Sequence, residues 1–310
     1  MLSAPIAGVA TADLMTVPRI AANVRLCSRE ERIMMNTTKL LCRVRGMGHT
    51  AALCALALGL LLFPVTAGAG KRKSFAGPPL IEAFKPGELL IYEISWSNIV
   101  TAGTAVMEVK GELLPNGKKV LTFTATTHSA GLVDKFYRVN DKLVSIFDPV
   151  NMQSLKFSLN ESHGKKKRRR ELVFDQANKT VISTLNDNPP ETLAVMKQTQ
   201  DALSSVYYLR TRDDFVAGKA IIIQVHDSGK NWSVEVETLG REQVKTPAGT
   251  FATIKVRTFP KYEGVFMNKG EIFIWLTDDL RKVPVLMKST IAIGAIVSTL
   301  TKMDTGMDAK

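Results

Sequence analysis

Cysteine is scarce in this chain. Its 310 residues include three cysteines, Cys27, Cys42 and Cys54. So few cysteines argue against a disulfide-stapled scaffold and against a zinc ribbon, which needs four ligands at short paired spacings. Acidic residues are also in deficit: 29 of them oppose 41 basic ones, giving a formal net charge of +12. With 45% hydrophobic and 23% charged residues, the composition is otherwise that of an ordinary globular protein and argues against disorder.

Motifs that would carry catalysis or metal binding are missing as well. The sequence contains no P-loop, no G-x-S-x-G elbow and no G-x-G-x-x-G after a strand. His128, His163 and His226 are isolated and lack the HExxH or His-x-His spacing of metal ligands. We interpret these histidines as surface or strand residues and expect neither a metal nor a cofactor.

Two aspartate pairs are the best candidates for the two carboxylates of a glycan-acting enzyme. They are Asp213-Asp214 and Asp278-Asp279. Neighbouring residues on a strand point to opposite faces, and turns also favour aspartate. We therefore expect Asp278, Asp279 and Arg281 to form a turn with a local ion pair, assign no catalytic residue, and do not expect an enzyme.

The N-terminal segment has the three parts of a secretory signal peptide. Arg43 and Arg45 precede the uncharged run 51–65, which ends at the small residues Ala67 and Ala69. We predict a leader over residues 1–69 that is cleaved after Ala69. Its removal takes away every cysteine, together with seven basic and three acidic residues, and lowers the net charge to +8. A cysteine-free exported chain suits the periplasm or the outer envelope.

The alternative to cleavage is an uncleaved inner-membrane anchor. The apolar run is shorter than the roughly 20 residues that a bilayer requires and contains Pro64, which favours cleavage. Basic residues at 71–73 directly follow the cleavage site and could hold the run in the membrane. A complete signal could begin at Met34, Met35 or Met47, so residues 1–33 are candidates for a misassigned start.

Short alternating segments dominate the sequence after Gly87. Leu155, Phe157 and Leu159 alternate with polar neighbours, as expected for antiparallel strands with one buried and one exposed face. Turn residues at 115–117 separate one pair of such segments. We predict a mainly β fold: a single antiparallel curved sheet, barrel-like or sandwich, of about a dozen strands with one or two short helices.

Two segments depart from the strand pattern. Asp201 is a helix-capping residue followed by apolar residues at helical spacing, which predicts a helix over Asp201–Arg210. Gly131–Tyr137 is a candidate for a second short helix. Residues 85–303 contain no linker-like shift in composition, so we interpret them as one domain. A short linker over 70–84 precedes this domain and a tail over 304–310 follows it.

The chain resembles a known bacterial family. The segments that carry the resemblance are Gln200–Thr211 (QDALSSVYYLRT), Val244–Phe251 (VKTPAGTF), Ile274–Met287 (IWLTDDLRKVPVLM), Lys85–Glu88 with Tyr92, Ile94 and Trp96, and Thr101–Thr104. Over about residues 84–302, and in their order along the chain, these segments resemble the family catalogued as domain of unknown function 3108. The resemblance implies an exported, mainly β envelope protein and carries over no activity.

A run of six cations is the clearest surface signal: Lys165, Lys166, Lys167, Arg168, Arg169 and Arg170. It follows Gly164 between two predicted strands. In an envelope setting it predicts contact with anionic lipid headgroups, lipopolysaccharide phosphates or acidic polysaccharide. A solvated hairpin that blocks edge-to-edge strand pairing is the alternative. The signal peptide argues against a nucleic-acid partner.

Aromatic and basic residues of the predicted helix and of a central strand suggest a ligand pocket. The candidates are Tyr207, Tyr208, Arg210 and Trp275. Our leading hypothesis is a non-catalytic envelope protein that binds or escorts an amphipathic ligand, a lipid or glycolipid, on the inner face of its sheet, with the helix as a lid or plug. The alternatives are a scaffolding module that binds envelope polymer or protein partners and, less favoured, an enzyme acting on glycans.

Overall fold

The computed structural model describes residues 80–262, 265–266, 271–290 and 294–306. The predicted signal peptide, its cleavage site after Ala69 and the alternative start sites lie outside these residues, as do most of the predicted linker and the last four residues of the tail. Residues 291–293 also lie outside them. These predictions, and the proposed domain boundaries, stay predictions.

One antiparallel sheet makes up most of the described chain, which confirms the predicted mainly β fold. Its first eight strands are β1 (Glu88–Trp96), β2 (Val100–Leu113), β3 (Lys119–Ser129), β4 (Asn140–Asp148), β5 (Gln153–His163), β6 (Lys166–Asp175), β7 (Thr180–Leu185) and β8 (Glu191–Ala194). The others are β9 (Ala220–Asp227), β10 (Lys230–Thr246), β11 (Gly249–Tyr262), β12 (Val265–Phe266), β13 (Ile272–Thr277), β14 (Pro284–Thr290) and β15 (Ala295–Thr305).

The strand order is β8-β7-β6-β5-β4-β3-β2-β1-β15-β14-β13-β11-β10-β9, with β12 paired to β11. Sequential hairpins build each half, and the first and last strands join the halves, with Glu88 opposite Thr305. The connections between β1 and β2, between β3 and β4, and between β5 and β6 all lie at one end of the sheet, which we call the hairpin end. The predicted turn at 115–117 lies at the opposite end, between β2 and β3.

The two edges of the sheet approach each other without forming a ladder. Gln200 bridges Val225 in parallel, through backbone hydrogen bonds to Gln224 and His226 that are both 2.8 Å long. Beside this bridge, the Asn231 side chain donates a 2.8 Å hydrogen bond to the carbonyl of Ala194 at the end of β8. The sheet is therefore curled and barrel-like, but its ladder is not closed.

Three helices accompany the sheet in the described residues: α1 (Leu80–Ala83), α2 (Gly131–Phe136) and α3 (Ala202–Arg210). The predicted helices at 131–137 and 201–210 are both confirmed. All residues of α3 except Tyr208 are buried, and the helix contacts β3, β4 and β9. It therefore lies inside the curl of the sheet and acts as a plug rather than as an outer lid.

The helix stands between two groups of core side chains. One group lines β1 to β7 and includes an aromatic cluster in which Phe123 stacks on Tyr207 of α3, with ring centroids 3.8 Å apart. The other lines β9, β10, β11 and β13, and includes Trp232 and Leu209. Because burial of large apolar side chains is the main stabilising term in folding, the helix holds the two halves of the interior together.

The cation run is the place where the strand prediction needs correction. We expected the run to lie between two strands, but β6 begins at Lys166 and contains five of the six cations. It pairs with β5 on one side and with β7 on the other. The ladder with β7 covers Arg170–Asp175 only, so the first part of the run has a ladder partner on one side, and its role in blocking edge-to-edge pairing stays an alternative. Strand β8 was not predicted; it is four residues long and follows Pro189-Pro190.

Candidate functional site

The start of the central helix is fixed by a buried carboxylate. Asp201 caps α3 as predicted: one of its oxygens accepts hydrogen bonds of 2.8 Å from the backbone N–H groups of Leu203 and Ser204. The other oxygen accepts hydrogen bonds of 2.6 Å from Ser145 on β4 and 2.5 Å from Ser154 on β5. Burial raises the pKa of Asp201, and these hydrogen bonds oppose the rise. The cap therefore ties the helix to two strands.

The end of the helix is fixed by a buried ion pair. Arg210, 1% exposed, forms two hydrogen bonds to the carboxylate of Glu88, at 2.6 and 2.7 Å. It also donates to the carbonyls of Ala83, at 2.7 Å, and Arg281, at 3.1 Å. Burial lowers the pKa of Arg210, but the Glu88 carboxylate outweighs that effect and the pKa lies above its ordinary value. These contacts place Arg210 in the core and commit its donors to the protein.

The other predicted ligand-binding residues do not form one pocket with Arg210. Tyr207 is buried in the aromatic cluster, and its hydroxyl has no hydrogen-bond partner within the described chain. Tyr208, on the next position of α3, is partly exposed and packs against the other core group. Trp275 donates a hydrogen bond to Glu242, and Lys255 lies 4.9 Å above its ring. Tyr207 lies beside Arg210, whose guanidinium carbon is 5.3 Å from its ring centroid, whereas Tyr208 packs with the other core group.

The carboxylate pairs considered for catalysis do not converge. Asp279 accepts hydrogen bonds from the side chain and the backbone N–H of Arg281, and Asp278 pairs with Arg241 at 2.9 Å. The predicted turn with a local ion pair is therefore confirmed. Asp214 pairs with Arg212 at 2.8 Å in a loop elsewhere in the chain. The described ranges hold no group of acidic, histidine or cysteine residues that is suited to a metal ion.

The cation run divides into two sets by exposure. Lys165, Lys166, Lys167 and Arg169 are exposed, whereas Arg168 is partly buried and Arg170 is buried. Arg170 therefore does not belong to the predicted surface contact. In the part of the chain that the structure describes, the ion pairs of this run are those of Arg168 with Glu161 and of Arg169 with Asp187. The three lysines keep their charges free for a partner.

An exposed aromatic residue lies at the same end of the sheet as these lysines. Phe136, at the end of α2, is 85% exposed. The segment after α2 is joined to the β5–β6 turn by a 2.7 Å hydrogen bond from the Gly164 N–H to the carbonyl of Arg138. We call Phe136, Lys165, Lys166 and Lys167 the basic apolar surface. It lies at the hairpin end of the sheet, where Ile99 of the β1–β2 turn is also 79% exposed. Sequence reasoning found the cations but missed Phe136.

A histidine and an aspartate form a partly buried pair beneath this surface. His163 Nε2 lies 2.8 Å from Asp141 Oδ2. The hydrogen bond to Asp141 raises the pKa of His163, while burial opposes the rise. All three histidines beyond the leader are in strands, as predicted. This pairing, across 22 residues of sequence, could not be seen in the histidine spacing.

The raised pKa gives a testable dependence of stability on pH. Because the folded state binds the His163 proton more tightly than the unfolded state does, the stabilisation is complete below the ordinary histidine pKa and disappears as the pH rises through the folded value. We expect the free energy of unfolding of the wild-type protein, relative to His163→Gln, to decrease from pH 6 towards alkaline pH. Urea unfolding of both proteins across this range measures the difference. Parallel pH profiles would contradict the assignment.

Within the described ranges, no helix has the length and apolar character to span a bilayer. The fold class is a β-barrel-like protein built on an open sheet.

The chain belongs to the family described as protein of unknown function DUF3108, whose model matches residues 91–301. This confirms the resemblance seen in the sequence. No curated protein matches the chain.

Three solved structures align with most of this chain. A β-barrel-like protein of domain of unknown function DUF1849 from Brucella abortus has 14% identity and a TM-score of 0.49, covering 70% of this chain and 97% of that one. A protein described as exported, with a YmcC-like fold, from Bacteroides fragilis has 15% identity, a TM-score of 0.32 and coverages of 72% and 99%. A protein described as a lipoprotein, from Parabacteroides distasonis, has 9% identity, a TM-score of 0.30 and coverages of 71% and 96%.

Proposed function

We propose that this protein is a non-catalytic, exported protein of the cell envelope that docks on an anionic membrane through its basic apolar surface. The proposal is supported by the exposed Phe136 at the same end of the sheet as three exposed lysines, for which the described residues provide no ion pair. An aromatic side chain can enter the interfacial region of a bilayer while neighbouring lysines contact anionic headgroups. The signal peptide predicted over residues 1–69 supports the envelope setting.

The magnitudes favour reversible binding. A lysine near an anionic membrane contributes about 1 kcal/mol, and burying a phenylalanine side chain contributes about 1.5–3 kcal/mol. Three lysines and one phenylalanine therefore suffice for docking, but fall short of a permanent anchor. A free exported protein would bind and leave the membrane, and its binding would weaken with salt.

An amphipathic ligand on the inner face of the sheet is the second candidate function. Helix α3 and the aromatic cluster occupy the space between the two core groups, which argues against a long apolar cavity there. The polar end of the interior near Arg170 favours a smaller ligand. Scaffolding through protein or polymer partners stays an alternative, and the turn formed by Asp278 and Asp279 gives no support to a glycan-acting enzyme.

Vesicle binding tests the docking proposal. We expect the protein to bind vesicles that contain phosphatidylglycerol and to bind phosphatidylcholine vesicles at least tenfold more weakly. Replacing Lys165, Lys166 and Lys167 together with glutamine should weaken binding to anionic vesicles about 100-fold, since each lysine contributes about 1 kcal/mol. Phe136→Ser should weaken it about tenfold or more. Co-sedimentation at several salt concentrations measures these affinities.

The opposite end of the sheet provides matched controls. Val150 is also exposed, and Lys110, Lys119 and Lys179 are exposed lysines at that end. Val150→Ser and the triple glutamine variant of these three lysines should bind anionic vesicles like the wild-type protein. Equal losses from both ends would indicate attraction by net charge alone and contradict the proposal. Binding to soluble acidic polysaccharide without binding to vesicles would favour the polymer alternative.

A further inference from the structure

Arg170 is a buried cation without hydrogen-bond partners for two of its donor atoms. It lies on β6 on the same face as Leu172 and Phe174, is 6% exposed, and stands opposite Leu159 and Leu185 in the neighbouring strands. Its Nε and Nη1 atoms form no hydrogen bond within the described part of the chain. Burial lowers the pKa of Arg170, and so does the charge of Arg168. Leaving such donors unpaired is costly, so the site calls for an acceptor.

A second unpaired group belongs to the same end of the interior. His226 on β9 is 1% exposed, and its ring stands edge to face with that of Phe174, at a centroid distance of 6.4 Å. Its Nε2 atom has no partner among the described residues. The charge of Arg170 contributes to the low pKa of His226, after the larger effect of burial. His226 therefore packs against Phe174, which lies on the same face of β6 as Arg170, and is close enough to Arg170 to sense its charge.

Hydrogen bonds around His226 determine which proton it carries. The Asn231 amide nitrogen donates to the carbonyl of Ala194, at 2.8 Å, which turns its oxygen towards His226 Nδ1, also at 2.8 Å. Because an amide oxygen only accepts, Nδ1 of the neutral ring carries the hydrogen. Nε2 is then left with a free lone pair. The site offers donors with positive charge from Arg170 and one acceptor from His226.

We propose that Arg170 and His226 form an internal binding site for a small oxyanion that also carries a hydroxyl hydrogen, such as a phosphomonoester or a hydroxycarboxylate. The anionic oxygens accept from Nε and Nη1 of Arg170, and the hydroxyl donates to Nε2 of His226. Guanidinium groups favour phosphate and carboxylate because their planar donors match these acceptors. This site is separate from the basic apolar surface and does not depend on membrane docking.

Charged neighbours make the site selective for a single compact anion. Glu161 and Arg168, which pair at 3.5 Å, lie on the hairpin-end side of Arg170, and Asp227 contributes a negative charge from β9. A highly charged ligand would meet repulsion from the two carboxylates. The apolar neighbours Leu159 and Phe174 leave little room for a large polar group. The same surroundings would accept a short apolar substituent on the ligand.

Titration of the full chain with inorganic phosphate and with glycolate tests the proposal. We expect both to bind at pH 7, whereas acetate, which lacks the hydroxyl, should bind at least tenfold more weakly than glycolate. Arg170→Met should weaken binding at least tenfold. Arg169→Met is the matched control, because Arg169 is the next residue on β6 and faces outwards, and it should leave the affinity unchanged. Calorimetry measures the affinities. The ratio of the affinities for phosphate and glycolate distinguishes the two ligand classes.

A measurement on the wild-type protein keeps the test valid if Arg170→Met does not fold. The imidazole nitrogen resonances of His226 should move on addition of phosphate or glycolate, and should stay in place with chloride at equal ionic strength. Unmoved resonances would overturn the proposal. So would equal binding by the wild-type and Arg170→Met proteins, or no binding by any of the three anions, since the donors of Arg170 would then be satisfied by water alone.

Discussion

Glu88→Ala should lower the free energy of unfolding by about 3–5 kcal/mol, because removing one partner of a buried ion pair leaves the other charge uncompensated. Arg210 would remain between the rings of Phe84 and Tyr207, whose centroids both lie 5.3 Å from its guanidinium carbon. Its bonds to two backbone carbonyls cannot replace the carboxylate charge. Urea unfolding followed by tryptophan fluorescence measures the loss.

Two further variants separate the effect of an unpaired charge from that of a lost contact. Replacing Glu88 with leucine and Arg210 with methionine together should recover much of the lost stability, because apolar substitutes for a buried pair are often neutral. Asp187→Ala breaks the exposed pair with Arg169 and should leave the stability unchanged within error. A loss for Glu88→Ala no larger than that for Asp187→Ala would contradict the structural role of the buried pair.

Asp201→Ala should lower the free energy of unfolding by about 2–5 kcal/mol. The loss of an N-cap accounts for about 0.5–2 kcal/mol, and leaving buried donors unsatisfied adds about 1–3 kcal/mol. The donors concerned are the hydroxyls of Ser145 and Ser154 and the first N–H groups of α3. Urea unfolding at neutral pH measures the change.

The control is Asp201→Asn. Its amide oxygen can still accept from the helix N–H groups, while its amide nitrogen can donate to the oxygens of Ser145 and Ser154. We expect this variant to retain most of the wild-type stability. If alanine and asparagine at position 201 were equally destabilising, the negative charge rather than the hydrogen-bond pattern would control the start of the helix. Equal stability of all three proteins would show that the cap contributes nothing.

The fold was largely predictable because its signals are local. The alternation around Phe157 and Leu159 and the capping position of Asp201 depend on neighbours a few residues away, and the strand and the helix that they predict are both present. At Leu155 the expected burial is wrong: a register shift leaves this residue partly buried and buries Ser154 instead. The short strand β8 was not predicted, since four residues carry too little alternation. Whether the sheet closes depends on contacts such as Gln200 with Val225, which no local pattern reveals.

The candidate sites were less predictable because their partners are distant in sequence. Arg210 was taken for a ligand-binding residue, yet its partner Glu88 lies 122 residues earlier. Six consecutive cations predicted one surface, whereas strand alternation turned Arg170 inwards. The sequence did contain a signal for the burial of Arg170, because Arg170 has the same alternation as Leu172 and Phe174, which form the inward face of β6. Among the described residues, His226 Nε2 has no hydrogen-bond partner. This depends on how β9 meets the other half of the sheet, and no sequence pattern predicts it.

The pairing of β1 with β15 has a consequence for the order of events during biogenesis. Glu88 is the first residue of β1 and Thr305 is the last residue of β15, yet the two are direct neighbours in the middle of the sheet. The two halves can therefore join only after the last strand has been delivered. Contacts between remote parts of a chain form slowly. For a polypeptide threaded across a membrane from its N-terminus, this connectivity delays completion of the native structure until translocation is nearly finished, which keeps the chain threadable throughout.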